Sequence, residues 1–224
     1  MQELIKKYYD DLAEKYDESR FSNSYGKFIH SQETKVLKKY ISKNSIERNL
    51  DLACGTGRFL KFANYGVDIS SNMIEVAKSK FPEVNFKMAD GEQLPFDDGY
   101  FENIISFHLM MHLDENKVLK ILSEVNRVLK NGGYFIFDIA SEKRRKLTSY
   151  SGNSWHGNYQ INLKQLNKWI KQDWKLINYH GIAFFPTHRI SPSFRKKLLP
   201  IDNFFCNSIL REYSSYLIFI LKKK

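Results

Sequence analysis

The sequence of 224 residues predicts an α/β fold, in which a doubly wound, mostly parallel sheet is covered by helices on both faces. Two observations lead to this fold class. Continuous apolar segments alternate with segments of helical periodicity between residues 48 and 140. The first apolar segment also runs into a glycine-rich turn that opens the next element. One domain of ordinary size can contain such a sheet, since 42% of the residues are hydrophobic.

The N-terminal part is predicted to be helical. Residues 3–17 place apolar and aromatic side chains at helical spacing, which is typical of an amphipathic helix. A second helix is predicted over Gln32–Ile41. We therefore expect an N-terminal helical cap over residues 1–44 and a main domain over residues 45–224.

Strands and helices alternate in the central part of the chain. The eight residues from Arg58 to Tyr65 leave room only for a truncated helix between the glycine turn and the second strand. The next helix is predicted over Ser71–Lys80, with Asn72 as its N-cap and Glu75 completing a capping box. The five strands predicted here are Arg48–Cys54, Tyr65–Ile69, Val84–Ala89, Asn103–Phe107 and Tyr134–Ile139.

The last elements complete the sheet. A helix is predicted over Glu115–Leu129, and Asn131-Gly132 is expected to stop it before the fifth strand. Two further strands are predicted over Leu176–Phe185 and Tyr216–Leu221. Because no crossover helix is evident between them, we expect an antiparallel pair at the edge. The sheet then has seven strands, of which the last runs antiparallel.

Composition excludes several classes of protein. No segment approaches the roughly 20 apolar residues that a membrane-spanning helix needs, and the N-terminus lacks the apolar centre of a signal peptide. The two cysteines, Cys54 and Cys206, provide neither a disulfide framework nor a metal cluster. These features favour a cytoplasmic protein with reduced thiols and no metal.

The net charge of +10 is unevenly distributed. Residues 1–141 contain 19 Lys and Arg and 21 Asp and Glu, a balance of −2, whereas residues 142–224 contain 16 and 4, a balance of +12. Such a basic segment is consistent with an anionic partner such as RNA, a phosphorylated metabolite or a membrane surface. A solvated lysine-rich surface is slightly favoured instead, because no arginine-rich tract or RNA-binding motif accompanies the charge.

The glycine turn Asp51-Leu-Ala-Cys-Gly55-Thr-Gly57 is the first motif that carries chemistry. It follows a predicted strand and opens a predicted helix, which is the context of a nucleotide-binding turn. The third glycine of a dinucleotide-binding fingerprint is replaced by Leu60, which disfavours NAD. An acid, Asp68, ends the following strand and is suited to bind a ribose diol.

A second segment, Ala89-Asp-Gly-Glu-Gln-Leu-Pro-Phe-Asp-Asp-Gly-Tyr-Phe-Glu102, runs directly into the fourth strand. Together with DLACGTG, GVDISSNMIEVAK and VLKNGGYFIFD, it resembles the class I methyltransferases that use S-adenosylmethionine (SAM). The similarity is strongest to the small-molecule group that includes the ubiquinone and menaquinone methyltransferases. It extends over residues 45–140 and implies a Rossmann-like sheet.

The resemblance implies SAM as cofactor and a role for each matching residue. The glycine turn would hold the methionine end of SAM, Asp68 the ribose, and Asp90 the adenine amino group. An N-terminal Tyr-Asp pair, Tyr16-Asp17, resembles a segment that closes over SAM in related enzymes. Ala53 replaces a glycine of the family and is expected to be tolerated because alanine is nearly as small. The implied cofactor-binding residues are Asp51, Ala53, Cys54, Gly55, Gly57, Asp68, Ile69, Met73, Asp90, Gly91, Phe107 and Tyr16.

Two histidines follow the fourth strand, where substrates of the family bind. His108 is the first candidate for a general base, because imidazole accepts protons near neutral pH. The alternative is that it packs beside the cofactor and that His112 only stabilises the loop. Residues 141–175, with a helix predicted over Leu163–Ile170, are expected to form an insertion on the substrate side. No role is assigned to the aromatic residues Trp155, His156, Trp169 and Trp174.

Methyl transfer from SAM needs alignment of the acceptor and exclusion of water more than an acid–base pair. The resemblance to the small-molecule group favours a small-molecule acceptor, and RNA, in particular tRNA, is the alternative acceptor. Two other functions remain open at this point. One is an NAD-dependent oxidoreductase, and the other is a nucleic-acid-binding protein on an inactive methyltransferase fold. The sequence does not indicate the oligomeric state.

Overall fold

The structure is a computed structural model that describes residues 2–42, 46–148, 157, 159–170 and 172–224. Trp155 and His156 lie outside the described residues. The helices are α1 Gln2–Leu12, α2 Tyr16–Arg20, α3 Ser24–Tyr40, α4 Ser71–Lys80, α5 Glu115–Val128, α6 Glu142–Leu147, α7 Leu163–Trp169 and α8 Pro192–Asn207. The strands are β1 Asn49–Leu52, β2 Tyr65–Asp68, β3 Asn85–Met88, β4 Phe101–Ser106, β5 Leu129–Ser141, β6 Gln160–Ile161, β7 Trp174–Ile182 and β8 Tyr216–Lys223.

The strands form one mostly parallel sheet in the order β3-β2-β1-β4-β5-β8-β7, and the short β6 pairs with β5. Strand β8 runs antiparallel to both β5 and β7, so the predicted antiparallel last strand is confirmed. Strand β8 lies inside the sheet, and β7 forms the edge. The predicted doubly wound α/β fold is thus confirmed.

Side chains alternate between the two faces of the sheet. Ile104 and Phe135 belong to a buried cluster that includes the apolar face of α5, whereas their neighbours Ile105 and Ile136 belong to a second buried cluster with α3. This period of two is what a sheet covered on both sides requires. The expected division of the chain at residue 44 stays a prediction.

The turn after β1 is followed by very little helix. Only one turn of 3-10 helix, Leu60–Phe62, lies between the glycine turn and β2. This confirms the truncated helix that the eight-residue spacing predicted. The chain therefore crosses from β1 to the neighbouring parallel strand β2 almost directly.

The predicted N-cap of α4 was wrong. Ser70 caps the helix, because it has an extended backbone and its hydroxyl accepts a hydrogen bond from the backbone N–H of Met73 at 3.1 Å. Asn72 lies one residue inside the helix, where its side-chain amide donates to the backbone carbonyl of Asp10 in α1. A tertiary contact thus uses the side chain that the local pattern had assigned to capping.

The junction of α5 and β5 also differs from the prediction. Helix α5 ends at Val128, and Asn131-Gly132 lies within β5 instead of stopping the helix. Gly132 has a φ of +80°, and the pairing register with β4 shifts between Phe101 and Asn103. The glycine therefore adopts the left-handed backbone conformation beside a β-bulge-like irregularity in the pairing of β5 with β4.

Helix α8 between β7 and β8 was not predicted from the sequence. Pro192 occupies its first turn, where proline is tolerated, but Pro200 lies in its interior. Packing stabilises the helix: the buried carboxylate of Asp202 accepts hydrogen bonds from Gln32 of α3 at 2.8 Å and from the backbone N–H of Phe185 at 2.8 Å. No helix among the described residues has both the length and the apolar composition that a membrane-spanning segment needs.

Candidate active site

A first cavity of about 880 Å³ opens at the carboxyl ends of the parallel strands. Its size is that of an ordinary small-molecule site, and its position is where open α/β sheets bind ligands. Nine of the twelve residues predicted to bind the cofactor line this cavity: Tyr16, Ala53, Gly55, Asp68, Ile69, Met73, Asp90, Gly91 and Phe107. The sequence motifs therefore converge on one place.

The turn after β1 fixes the acid at the end of β2. The backbone N–H of Gly55 donates to one carboxylate oxygen of Asp68 at 2.8 Å, and the N–H of Ser70 donates to the other at 2.9 Å. Gly55 has a φ of +52°, and Ala53 has a φ of +59°. Size was thus not the relevant property of Ala53, because the left-handed backbone strains any side chain with a Cβ.

Three predicted residues lie outside the first cavity. Asp51 and Cys54 line a smaller adjoining cavity of about 320 Å³, which shares Tyr16 and Gly55 with the first. Burial raises the pKa of the Cys54 thiol, so Cys54 is not an activated nucleophile. Gly57 faces away from both cavities, because a Cβ on Gly57 would lie 2.7 Å from the ring of Phe81.

Asp51 is a buried acid beneath the glycine turn. Burial raises the pKa of its carboxyl to about 8; Arg58 opposes this effect and Asp68 adds to it. The carboxyl is therefore largely protonated at neutral pH in the absence of a ligand. A cation bound close to Asp51 would favour its ionised form.

The N-terminal helices cover the first cavity. Tyr9 and Tyr16 contribute their rings to its lining. The hydroxyl of Thr56, in the glycine turn, donates to the carboxylate of Asp17 at 2.5 Å, and Lys80 of α4 pairs with the same carboxylate. These contacts attach α2 to the turn and make the N-terminal segment a lid.

His108, directly after β4, lies in a network of buried charges. Its Nε2 is 2.8 Å from Oε1 of Glu33, and its Nδ1 is 3.5 Å from Oδ2 of Asp138. Glu33 also pairs with Arg58 at 2.5 Å, and the Arg58 guanidinium lies 4.1 Å from the ring centroid of Phe21. The backbone N–H of His108 donates to Asp138 at 2.6 Å, and His108 has a φ of +60°. The network holds this strained residue in place.

The charges of this network follow from their surroundings. Burial alone would raise the pKa of Glu33, but Arg58 and His108 lower it to about 2. Burial alone would lower the pKa of His108, but Asp138 and Glu33 raise it above its ordinary value. These shifts favour a carboxylate at Glu33 and the protonated form of His108, while burial raises the pKa of Asp138. The donor atoms of Glu33, His108 and Asp138 lie within 4.8 Å of one another, as metal ligands would, but Arg58 already engages Glu33.

A second cavity of about 870 Å³ adjoins the first, and both are lined by Tyr9, Tyr16, His108 and His112. His112 is held by its neighbours: its Nδ1 accepts from the backbone N–H of Gly157 at 2.9 Å, and its Nε2 lies 3.3 Å from the hydroxyl of Tyr9. The remaining residues that line the second cavity are Arg20, Phe21, Tyr25, Gly26, Ile29, Met111, Arg145, Gly157 and Tyr216.

Sequence reasoning missed Glu33, Arg58 and Asp138. Two of them carried a signal. Glu33 lies between Ile29 and the apolar pair Val36-Leu37, on what becomes the buried face of α3. Asp138 is the one charged residue in the otherwise apolar segment YFIFDIA. A charge on a buried face requires a partner, and it often marks a site. Nothing in the local sequence distinguishes Arg58 from other surface arginines.

The amino-acid sequence of the chain is similar to those of known proteins. Residues 50–137 match a family described as a methyltransferase domain. The protein MJ1252 of Methanocaldococcus jannaschii is 32% identical over 98% of this chain and 90% of its own length. Demethylmenaquinone methyltransferase of Staphylococcus aureus is 32% identical over 60% of this chain, which spans 59% of the length of that enzyme.

Solved structures share the fold. A SAM-dependent methyltransferase from Thermotoga maritima superposes with a TM-score of 0.70 at 19% identity, covering 98% of this chain and 99% of its own. One from Clostridium acetobutylicum gives a TM-score of 0.63 at 19% identity, covering 96% and 98% of the two chains. Both resemblances extend beyond the sheet to the flanking parts of the chain.

Proposed function

The chain belongs to the class I SAM-dependent methyltransferases, and from this premise we propose that it methylates a small molecule bound in the second cavity. The observation that carries the proposal is the contact between the two cavities. Tyr9, Tyr16, His108 and His112 line both, so a ligand in the first cavity and an acceptor in the second would meet along these side chains.

The residues of the first cavity fit SAM by their charges. SAM carries an ammonium and a sulfonium group, and the floor of this region contains two buried acids, Asp51 and Asp68. Burial raises the pKa of Asp51 more than Arg58 lowers it, and the ammonium would favour the ionised carboxylate. Asp68, fixed by two backbone N–H groups, would bind the ribose hydroxyls with its remaining lone pairs.

The remaining assignments follow the position of each residue in the cavity. Asp90 and Gly91 would border the adenine, with Ile69 and Met73 packing against it. Tyr9 and Tyr16 would cover the cofactor with aromatic faces, which attract cations. When bound, SAM supplies an electrophilic methyl carbon, and the sulfur keeps the bonding electron pair as the methyl group leaves.

His108 is assigned a positioning role in place of the base that the sequence predicted. Both of its ring nitrogens face carboxylates, of Glu33 and Asp138, and its pKa is raised mainly by these acids against the effect of burial. An imidazolium has no lone pair with which to accept a proton. The acceptor must therefore arrive with an available lone pair, while the lid and the aromatic walls exclude water.

A small molecule is preferred to RNA because the second cavity is walled by the N-terminal helices. Tyr9, Tyr16, Phe21 and Tyr25 contribute four aromatic rings to it, which suits a compact ligand. The name of the Staphylococcus aureus relative, demethylmenaquinone methyltransferase, supports the same class of acceptor.

The test has a binding step and a transfer step. Calorimetry should show that S-adenosylhomocysteine binds the purified protein and that Asp68→Ala weakens this binding at least tenfold, whereas the exposed-site control Glu83→Gln does not. Labelled SAM should then transfer its methyl group to the small-molecule fraction of a host extract. A protein that binds neither SAM nor its product refutes the cofactor assignment. Label taken up only by nuclease-sensitive material refutes the small-molecule acceptor.

A further inference from the structure

The second cavity is lined by cationic side chains and, within the described part of the chain, by no carboxylate. Arg20 comes from the end of α2 and Arg145 from α6, so two segments far apart in sequence each contribute an arginine to the lining. The guanidinium of Arg20 also donates to the hydroxyl of Tyr8 at 2.7 Å. His108 and His112 complete the polar lining together with tyrosine hydroxyls.

Further arginines surround the outer wall of this cavity. The ring of Tyr25 lies 6.2 Å from that of His188, and the guanidinium of Arg195 donates to the hydroxyl of Ser24 at 2.7 Å. Burial lowers the pKa of His188, and Arg189, Arg144 and Arg195 lower it further, so these three cations lie close to the ring. These arginines belong to the basic segment of residues 142–224, which thus places positive charge beside this wall.

The acids nearest the cavity do not cancel this field. Glu33 is 1% exposed and is neutralised by Arg58 and His108. Asp138 is also 1% exposed, lies behind His108 and contacts both its ring and its backbone N–H. Neither acid lines the second cavity. Among the residues that the structure describes, those that line the second cavity offer a ligand arginines and aromatic faces but no carboxylate.

We propose that the methyl acceptor is a small anion whose carboxylate or phosphate group is bound by Arg20 and Arg145 in the second cavity. This inference rests on the proposed function and specifies its substrate class. Guanidinium groups bind both kinds of anion by paired N–H donors, and such charge-assisted hydrogen bonds are strong in partly buried sites. The tyrosines would hold the body of the acceptor, while the arginines fix the orientation in which it faces the first cavity.

The opposite choice, a cationic amine as acceptor, is disfavoured by the same lining. Aromatic walls attract cations, but a bound ammonium would lie in a cavity lined by two arginines. No carboxylate in the described part of the chain lines that cavity to compensate their charge. Like charges in a partly buried site repel strongly, because the effective dielectric constant is low. Long-range attraction by the surrounding arginines would also increase the rate at which an anion reaches the cavity.

The test uses three probes with the same ring and different charge: benzoate, benzyl alcohol and benzylamine. Each is titrated calorimetrically into the full chain saturated with S-adenosylhomocysteine. We expect benzoate to bind at least about tenfold more tightly than the other two. Arg145→Gln and Arg20→Gln should each weaken benzoate binding about tenfold and leave benzyl alcohol unchanged. Lys143→Gln is the matched control, because Lys143 lies on the same helix as Arg145, pairs with Glu212 and is not among the residues that line the second cavity.

The outcomes separate the two proposals. If S-adenosylhomocysteine does not bind, the proposed function fails before any probe is added. If it binds and benzylamine is preferred, or both arginine variants keep the affinity of the wild-type protein for benzoate, the anionic acceptor is refuted. Unchanged affinity of the variants for S-adenosylhomocysteine verifies that they fold. A labelled product from extract should also be retained by an anion-exchange resin at pH 8, and a product that flows through contradicts the proposal.

Discussion

The carboxylate of Glu33, in the middle of α3, lies 2.8 Å from the imidazole of His108, which is 75 residues further along the chain. This contact joins the N-terminal helices to the end of β4, where the two cavities meet. Because Glu33 also pairs with Arg58, one buried carboxylate compensates two cations.

Replacing Glu33 by glutamine should lower the free energy of unfolding by about 3 kcal/mol, because two buried cations lose their partner. The pKa of Glu33 is lowered to about 2 and that of His108 is raised. The pair therefore stabilises the fold above the ordinary carboxyl pKa and below the ordinary imidazole pKa, from about pH 4.5 to 6.5. Its contribution declines as the pH falls towards 2 and as the pH rises through the pKa of folded His108.

Urea denaturation at pH 5.5 and pH 8.5 tests this prediction. The difference between the wild-type protein and Glu33→Gln should be larger at the lower pH. The control Glu83→Gln removes an exposed acid and should change stability by less than about 0.5 kcal/mol at both values. A Glu33→Gln protein as stable as the wild type would show that the network contributes nothing to folding.

Binding of S-adenosylhomocysteine should release a proton from Asp51. Burial raises the pKa of Asp51 to about 8, so this group is protonated in the ligand-free protein at pH 6.5 and ionises beside the ligand ammonium. The affinity should therefore rise between pH 5.5 and 7, by up to about tenfold per pH unit. Calorimetry in two buffers of different ionisation enthalpy measures the proton directly.

Asp51→Asn should abolish this proton release and weaken binding. The same variant should stabilise the ligand-free protein above neutral pH. Because the pKa of Asp51 is raised in the folded protein, folding favours its protonated form. The stability that this protonated carboxyl contributes is fully present below the unfolded-state pKa of about 4 and is lost as the pH rises through 8. Asp97→Asn, at an exposed site, is the control. Equal proton release by both variants would contradict the assignment.

Ala53→Gly should raise the free energy of unfolding by about 0.5–1 kcal/mol. Ala53 has a φ of +59°, where a Cβ is strained by about 1–2 kcal/mol, and the greater freedom of glycine in the unfolded chain offsets part of the gain. Ala183→Gly should also raise the free energy of unfolding, because Ala183 has a φ of +52°. Ala77→Gly should lower the free energy of unfolding, because Ala77 lies inside α4 and glycine weakens a helix. Thermal unfolding distinguishes the signs, and destabilisation by Ala53→Gly would refute the strain.

Loss of the contact between Asp17 and Thr56 should loosen the lid. Asp17→Asn and Thr56→Val should each accelerate dissociation of S-adenosylhomocysteine about tenfold, because the hydrogen bond attaches α2 to the glycine turn. The double variant should release the ligand little faster than Asp17→Asn alone, because that change weakens the contact with Thr56 and also removes the ion pair with Lys80. Stopped-flow fluorescence measures the rates, with the exposed Glu18→Gln as control. Additive effects of the two changes would show that the residues act separately.

The sheet and the position of the first cavity follow from local patterns in the chain. Strand periodicity and the glycine turn are local properties, and the carboxyl ends of parallel strands meet at one edge wherever the strands pair. Asp68 and Asp90 are therefore predicted to share one site from their positions in the chain, and both line the same cavity. Local patterns were less successful at the ends of elements, as Ser70 and the unpredicted α8 show.

The tertiary structure alone decided the charge network and the second cavity. Glu33 meets Arg58 and His108 across separations of 25 and 75 residues, and Arg20 and Arg145 reach one cavity from different helices. Such contacts arise from the packing of α3 and the lid on the sheet, and no short-range pattern encodes them. The role of His108 depends on them in particular, because Asp138 and Glu33 raise its pKa against the effect of burial and so favour its protonated form.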